Sequence, residues 1–182
     1  MNWVKKHKWN LIFIIVLGLL LIPQVRMTVQ VFIQQIIAAS PDEVPEQNRM
    51  IVDSFDWELK DLDGNTVNFS QSKNKPIVVN FWATWCAPCV AEMPSLQNLY
   101  DEFNDRVDFY FVSSESVNKL KKWRMKKGYD IPIYIPQSRE PKQFESTSLP
   151  TTFIINSVGE IVMHEVGVAD WDGEVVKEIL LR

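Results

Sequence analysis

The sequence predicts an α/β domain built on a central sheet and carried behind an apolar N-terminal segment. Three observations predict it. Strand-like runs alternate along the chain with stripes of helical period. Ile77 to Trp82 is apolar on both faces apart from Asn80, as a central strand covered on both sides must be. Leu11 to Ile22 is an uninterrupted apolar run of twelve residues. If about the first forty of the 182 residues belong with that run, one domain of ordinary size remains. With 46% hydrophobic and 12% aromatic residues and six glycines, neither disorder nor a fibrous repeat is indicated.

The N-terminal run is flanked by Lys5, Lys6 and Lys8 before it and by Pro23 and Gln24 after it. Its length leans towards a cleavable signal, because a spanning helix wants about 20 apolar residues. Its flanks lean towards an uncleaved anchor. The nearest small-residue site, Ala38-Ala39-Ser40, lies far beyond the run and is followed by Pro41. The anchor is favoured, spanning Trp9 to Val25 with Trp3 and Trp9 at one interface, the lysines cytoplasmic and the domain on the periplasmic or extracytoplasmic side. Met27 to Ala39 intersperses Val29, Val31, Phe32, Ile33, Ile36 and Ile37 with Thr28, Gln30, Gln34 and Gln35. It reads either as an amphipathic helix on the membrane surface or as an extension of the anchor. Ser40 to Met50, with Pro41, Pro45 and several acids, reads as a linker that lets the domain move.

In the domain, Phe55, Trp57 and Leu59 alternate with charged residues, and after Asp63-Gly64 the pattern resumes at Val67 and Phe69, which predicts a hairpin. After the central strand the period turns helical from Pro88, with Cys89, Glu92, Met93, Leu96, Leu99, Tyr100 and Phe103 on one stripe. Pro94 predicts a kink in that helix. Val107 to Val112 is the next buried strand and completes a crossover unit. Ser116 to Lys127 reads as helix, Ile131 to Ile135 as extended, and Pro141 to Ser148 as irregular or one short turn. Thr151 to Ile155 and Ile161 to Val166 form a second hairpin, and a last helix runs from Asp172, a plausible cap, to Leu181.

Charge narrows the partners. Residues 1–40 carry four basic side chains and no acid, so residues 41–182 hold 15 basic and 23 acidic ones, a net of −8. That argues against nucleic acid, whose phosphates need a basic footprint. The run Lys119, Lys121, Lys122, Arg124, Lys126 and Lys127 reads as a solvated helix face rather than a docking site.

The two cysteines lie three apart, so whatever sulfur does here, Cys86 and Cys89 do together. At a strand-to-helix junction, Cys86 meets unpaired N–H groups and the positive end of the macrodipole, which favour its thiolate as nucleophile. Cys89, one turn on and buried, stays protonated until a mixed disulfide forms and then resolves it. Pro88 supplies the fixed φ that a first helical turn tolerates. Zinc, the other use of this spacing, needs two more ligands, and the chain offers only His7 and His164, so no metal and no cofactor is expected.

The stretch Asn80-Phe81-Trp82-Ala83-Thr84-Trp85-Cys86-Ala87-Pro88-Cys89, with Glu92-Met93-Pro94 and Leu149-Pro150-Thr151-Thr152-Phe153, resembles the thioredoxin superfamily and, within it, the membrane-anchored TlpA/ResA-like branch. The resemblance covers Ser54 to the C-terminus. It implies a thioredoxin-like fold, with a central mixed sheet flanked by helices and an added N-terminal β-hairpin. The chain then divides into a cytoplasmic stub and anchor at 1–26, an amphipathic segment and linker at 27–50, and the thioredoxin-like domain at 51–182. The implied activity is thiol:disulfide exchange that reduces exported proteins, often the haem-attachment cysteines of apocytochromes c, with electrons from a membrane protein. Pro150 matches the family's cis-proline, which lets the backbone of Leu149 pair with a substrate strand. Trp85, Ala87 and Pro88 join them as expected substrate contacts. Asn80 departs from cytosolic thioredoxins, which hold a buried aspartate there. Glu92, on the apolar stripe, matches the acidic residue of the branch and suits proton transfer.

Two competing readings are a copper chaperone of the Sco type, with His164 as third ligand, and a peroxiredoxin-like peroxidase, suggested by Thr84 two residues before Cys86. Copper titration and peroxide consumption separate them from the oxidoreductase. Ala-Pro between the cysteines is closer to the Gly-Pro of reducing thioredoxins than to the Pro-His of strong oxidants, which points to a reductant or isomerase.

Overall fold

The computed structural model describes residues 2–182, with side chains from His7 onward. The expected interfacial place of Trp3 and the flanking Lys5 and Lys6 side chains lie outside the described residues. Seven strands form one mixed sheet: β1 (Glu58–Asp61), β2 (Thr66–Asn68), β3 (Ile77–Phe81), β4 (Asp108–Val112), β5 (Ile133–Pro136), β6 (Thr151–Ile155) and β7 (Ile161–Val166), in the order β2-β1-β5-β4-β3-β6-β7. β3, β4 and β5 run parallel, and the remaining pairings are antiparallel.

Side chains alternate along each strand, and the two faces bury different material. Val78, Phe109, Phe111 and Ile154 face a core completed by the helices α3 (Ala87–Phe103), α4 (Val117–Lys127) and α5 (Glu174–Leu180). Ile77, Val79, Tyr110, Val112, Phe153 and Ile155 face an aromatic cluster of Trp57, Phe69 and Phe144. Trp57 and Phe144 lie on irregular segments or short 3-10 turns, so the second face is covered by the N-terminal extension and loops rather than by a helix. Trp57, Trp82 and Trp171 are fully buried, and each such ring removes about 150–250 Å² from water.

α3 continues through Pro94 to Phe103. α5 begins at Glu174 with Gly173 as its N-cap rather than Asp172, whose carboxylate is taken by Asn98 Nδ2 at 2.9 Å and by Lys177 Nζ at 2.8 Å.

The N-terminal part contains α1 (Asn2–Leu20) and α2 (Pro23–Ile37). Their axes meet at 93°, and no single helix among the described residues is long and apolar enough to cross a membrane. The expected continuous span from Trp9 to Val25 is thus interrupted. Pro23 has no N–H to continue the ladder and pushes the residue before it out of the helical region, and Ile22 is extended at φ −79°, ψ 118°.

Ser40 to Met50, expected as a free linker, is held against the domain. Asp170 N donates to Ala39 O at 2.9 Å, Val44 N to Val162 O at 2.8 Å, Ile161 N to Met50 O at 2.8 Å and Val52 N to Gly159 O at 2.9 Å. Arg49 reaches both Glu43 and Glu160. These bonds satisfy backbone groups at the β7 side of the sheet, an edge that is otherwise a liability.

Candidate active site

Because β3 and β4 are parallel, the loops that leave them share one edge of the sheet, where open α/β folds place their chemistry. β6 runs against β3 with Thr151 opposite Phe81, so Leu149 and Pro150, just ahead of β6, arrive at that edge too. This register brings two distant motifs to one end of the molecule. The Leu149–Pro150 bond is cis.

Between β3 and α3 the chain is tied down at each step. Trp82 N donates to Val112 O at 3.0 Å, and the Trp82 ring rests 4.6 Å from that of Trp123. Thr84 donates twice to Glu115, from its N–H at 2.6 Å and its hydroxyl at 3.0 Å. Burial pushes the Glu115 carboxyl up, but Lys119 and the Thr84 donors hold it below the ordinary range. Trp85 points outward, 66% exposed.

Cys86 is the N-cap of α3, extended at φ −81°, ψ 106°, and its Sγ accepts from Cys89 N at 3.2 Å. A sulfur there takes the place of a capping oxygen and sits where orphan N–H groups favour negative charge. Cys86 and Cys89 are joined in a disulfide with Cα atoms 5.2 Å apart, both residues buried, and Ala87 and Pro88 form the first helical turn between them.

Glu92 is 1% exposed, facing the sheet on the same helix as both cysteines. Asn80 Nδ2 donates to its Oε1 at 2.8 Å, and Trp171 Nε1 and Ala169 N donate to its Oε2 at 3.0 and 3.4 Å. Burial outweighs those three donors and pushes the carboxyl from 4.5 up to about 8. Asn80 Nδ2 also donates to Thr152 Oγ1 at 2.7 Å, which links the carboxyl to the strand that follows Pro150.

A groove of about 410 Å³ opens beside Trp85, the residue before Cys86, with Glu115, Phe144, Ser148 and Leu149 also among its walls. Leu149 is 38% exposed, whereas Pro150 behind it is buried. The structure thus gathers Trp85, Cys86, Ala87, Pro88, Cys89, Glu92, Leu149 and Pro150 at one edge. His164 stays out of the gathering. Its ring stacks on Phe153 at 4.4 Å and 13°, and burial pulls its pKa down. In α4 only Leu120 is buried, and Lys121 pairs with Asp63 at 2.9 Å, as a solvated face does.

Sequence reasoning missed Trp171, Thr152 and Glu115. Glu115 had a usable signal, since it follows a strand parallel to the one that delivers the cysteines. Trp171 had none, because nothing in a loop about eighty residues downstream marks it as a donor to Glu92.

A redox-active cysteine pair capping a helix at the end of a mixed sheet defines a thioredoxin-like protein. The AhpC/TSA family matches residues 51–164, and the chain belongs to it. It is 34% identical over 116 residues to the thioredoxin-like protein YneN of Bacillus subtilis, covering 62% of this chain and 68% of that one. With the thiol-disulfide oxidoreductase ResA of the same organism it shares 32% over 113 residues, covering 60% and 63%, less than two thirds of that relative's length. The crystal structure of the pneumococcal exposed lipoprotein thioredoxin from Streptococcus pneumoniae superposes with a TM-score of 0.56 at 27% identity, covering 66% of this chain and 97% of that one.

Proposed function

We propose that the chain is an extracytoplasmic thiol:disulfide oxidoreductase that reduces disulfides in exported proteins, including apocytochromes c awaiting haem. The observation that carries it is the Cys86–Cys89 disulfide at the α3 N-terminus with the buried Glu92 carboxyl on the same helix. In the reduced protein the Cys86 thiolate attacks one sulfur of a client disulfide, and that bond breaks to leave a client thiolate and a mixed disulfide. Cys89 gives its proton to Glu92 and attacks Cys86 Sγ, releasing the second client sulfur as a thiolate. Two electrons pass to the client and the chain is left oxidised, the state of the structure. A membrane electron donor resets it. Trp85, Ala87, Pro88, Leu149 and Pro150 form the client site; Trp85 and Leu149 line the groove, and Ala87 and Pro150 are buried.

Residues 1–26 anchor the chain with the N-terminus inside. The lysine flank supports this orientation, and the exposed-lipoprotein description of the pneumococcal relative supports the compartment. None of the described helices passes as a span by itself, so the support for anchoring is the lysine flank and the exposed apolar run from Phe13 to Leu17.

The Ala-Pro dipeptide sets the direction as reducing. Equilibration with glutathione buffers is expected to give a potential below about −200 mV, and a value near −120 mV, the range of strong oxidants, would reverse the direction.

A further inference from the structure

Helix α2 turns its apolar stripe away from the domain. Val29, Phe32, Ile33, Ile36 and Ile37 recur at the spacing of one helix face and are 40–68% exposed. Met27, Val31, Gln34 and Ala38 form the main half-buried set, with Val25 in the first turn half-buried on the stripe's own side. At the helical period the two sets fall on opposite faces. α2 packs against α3, where Gln35 Nε2 donates to Ala91 O at 3.3 Å. A helix settled on a protein in water turns polar residues outward, whereas here the outward face is apolar and the inward one, with Met27, Val31 and Ala38, is largely apolar too.

Two further observations name the occupant of the outward stripe. The first is α1, which precedes the stripe in the chain and whose residues from Phe13 to Leu17 are all exposed and apolar. Such an all-round surface fits an isotropic apolar solvent better than a single partner. The right angle between the helices is the second, since α1 along the membrane normal places α2 in the membrane plane, the attitude in which a one-sided apolar helix is stable. We infer that α2 lies in the outer interface of the bilayer on Phe32, Ile33, Ile36 and Ile37, and holds the domain there at a fixed orientation. This rests on the anchoring proposed above.

Residues 39–52 complete the mount, being bonded to Val162, Ile161, Gly159 and Asp170 rather than left as a tether. Ala91, the contact on α3, is two residues past Cys89, about 3 Å along the helix axis. The reactive pair therefore works within a short distance of the lipid surface. The clients it serves are disulfides presented at that surface, on polypeptides still attached to the membrane or emerging from it, in preference to folded proteins in free solution.

The test uses the full chain with Cys86→Ser and Cys89→Ser, carrying one spin-labelled cysteine at Phe32→Cys, Ile36→Cys or Gln34→Cys, in phosphatidylcholine and phosphatidylglycerol vesicles. Labels at 32 and 36 are expected to collide with oxygen severalfold more often than with a water-soluble nickel chelate, at a depth of about 5–10 Å. The label at 34 is expected to be shielded from both. Should the chain stay with the vesicles while labels at 32 and 36 meet mainly the nickel chelate, α2 lies in water, so this inference fails and the anchor stands. Spin-spin coupling between copies at 32 would make the occupant a second chain and also overturn it. Release of the whole chain by alkaline carbonate would instead remove the anchor on which it rests.

Discussion

At Glu92, burial and hydrogen bonding pull in opposite directions and burial wins. Three donors around an anionic carboxyl ordinarily hold its pKa down, yet this one is pushed up to about 8. A group poised there can take a proton from Cys89 and return it near neutral pH. Glu92→Gln keeps the shape and loses the base. Mixed-disulfide formation by Cys86 is expected to survive, while its decay slows by about 10²- to 10⁴-fold. In the parent, decay is expected to accelerate as pH rises through about 8, and stopped-flow rates for both forms from acid to alkaline pH measure this. Equal decay in the two would leave Glu92 a bystander.

The same raised pKa has a thermodynamic sign. Between 4.5 and about 8 the folded, oxidised protein binds a proton that the unfolded chain releases, so Glu92 contributes stability below 4.5 that is lost as pH rises to about 8. Denaturant unfolding of the oxidised parent and Glu92→Gln should therefore differ by an amount that shifts in favour of the Gln form across that window and is level above it.

Among the elements, strands and helices were largely legible because their periods are clean. Ile77 to Phe81 and the stripe from Cys89 to Phe103 lie where the pattern puts them. The departures come where an interaction partner is remote. Asp172 reads as a cap until Lys177 and Asn98 claim its carboxylate. Ser40 to Met50 reads as a tether because its composition is polar and proline-rich. The partners that hold it, Val162, Ile161 and Asp170, are supplied by the far end of the chain. The cysteine pair and the burial of Glu92 were legible from local spacing, whereas Trp171 and Thr152 complete the Glu92 network only through tertiary contact.

The mount between linker and α5 offers an element-scale test. A Cβ at Gly173 would collide with Ser40 Oγ and press on Ser40 Cβ, so Gly173→Ala must turn the Ser40 side chain and crowd the segment around it. Hydrogen exchange at Val44, whose N–H is bonded to Val162 O, is expected to speed up in Gly173→Ala while the amides of β3 stay protected. Unchanged protection at Val44 would mean that the segment is held without that contact.

At the scale of the molecule, the sheet register, the helix cap and the buried acid converge on one edge. The asymmetry proposed for the cysteines follows from their places: Cys86 caps the helix and is proposed to attack, while the more deeply buried Cys89 is proposed to resolve. Intact mass after mixing a disulfide-linked peptide with reduced Cys89→Ser and Cys86→Ser variants tests it most directly. A stable mixed disulfide is expected on Cys86 in Cys89→Ser, and little or none in Cys86→Ser. Equal adducts in both, or an adduct only in Cys86→Ser, would contradict it.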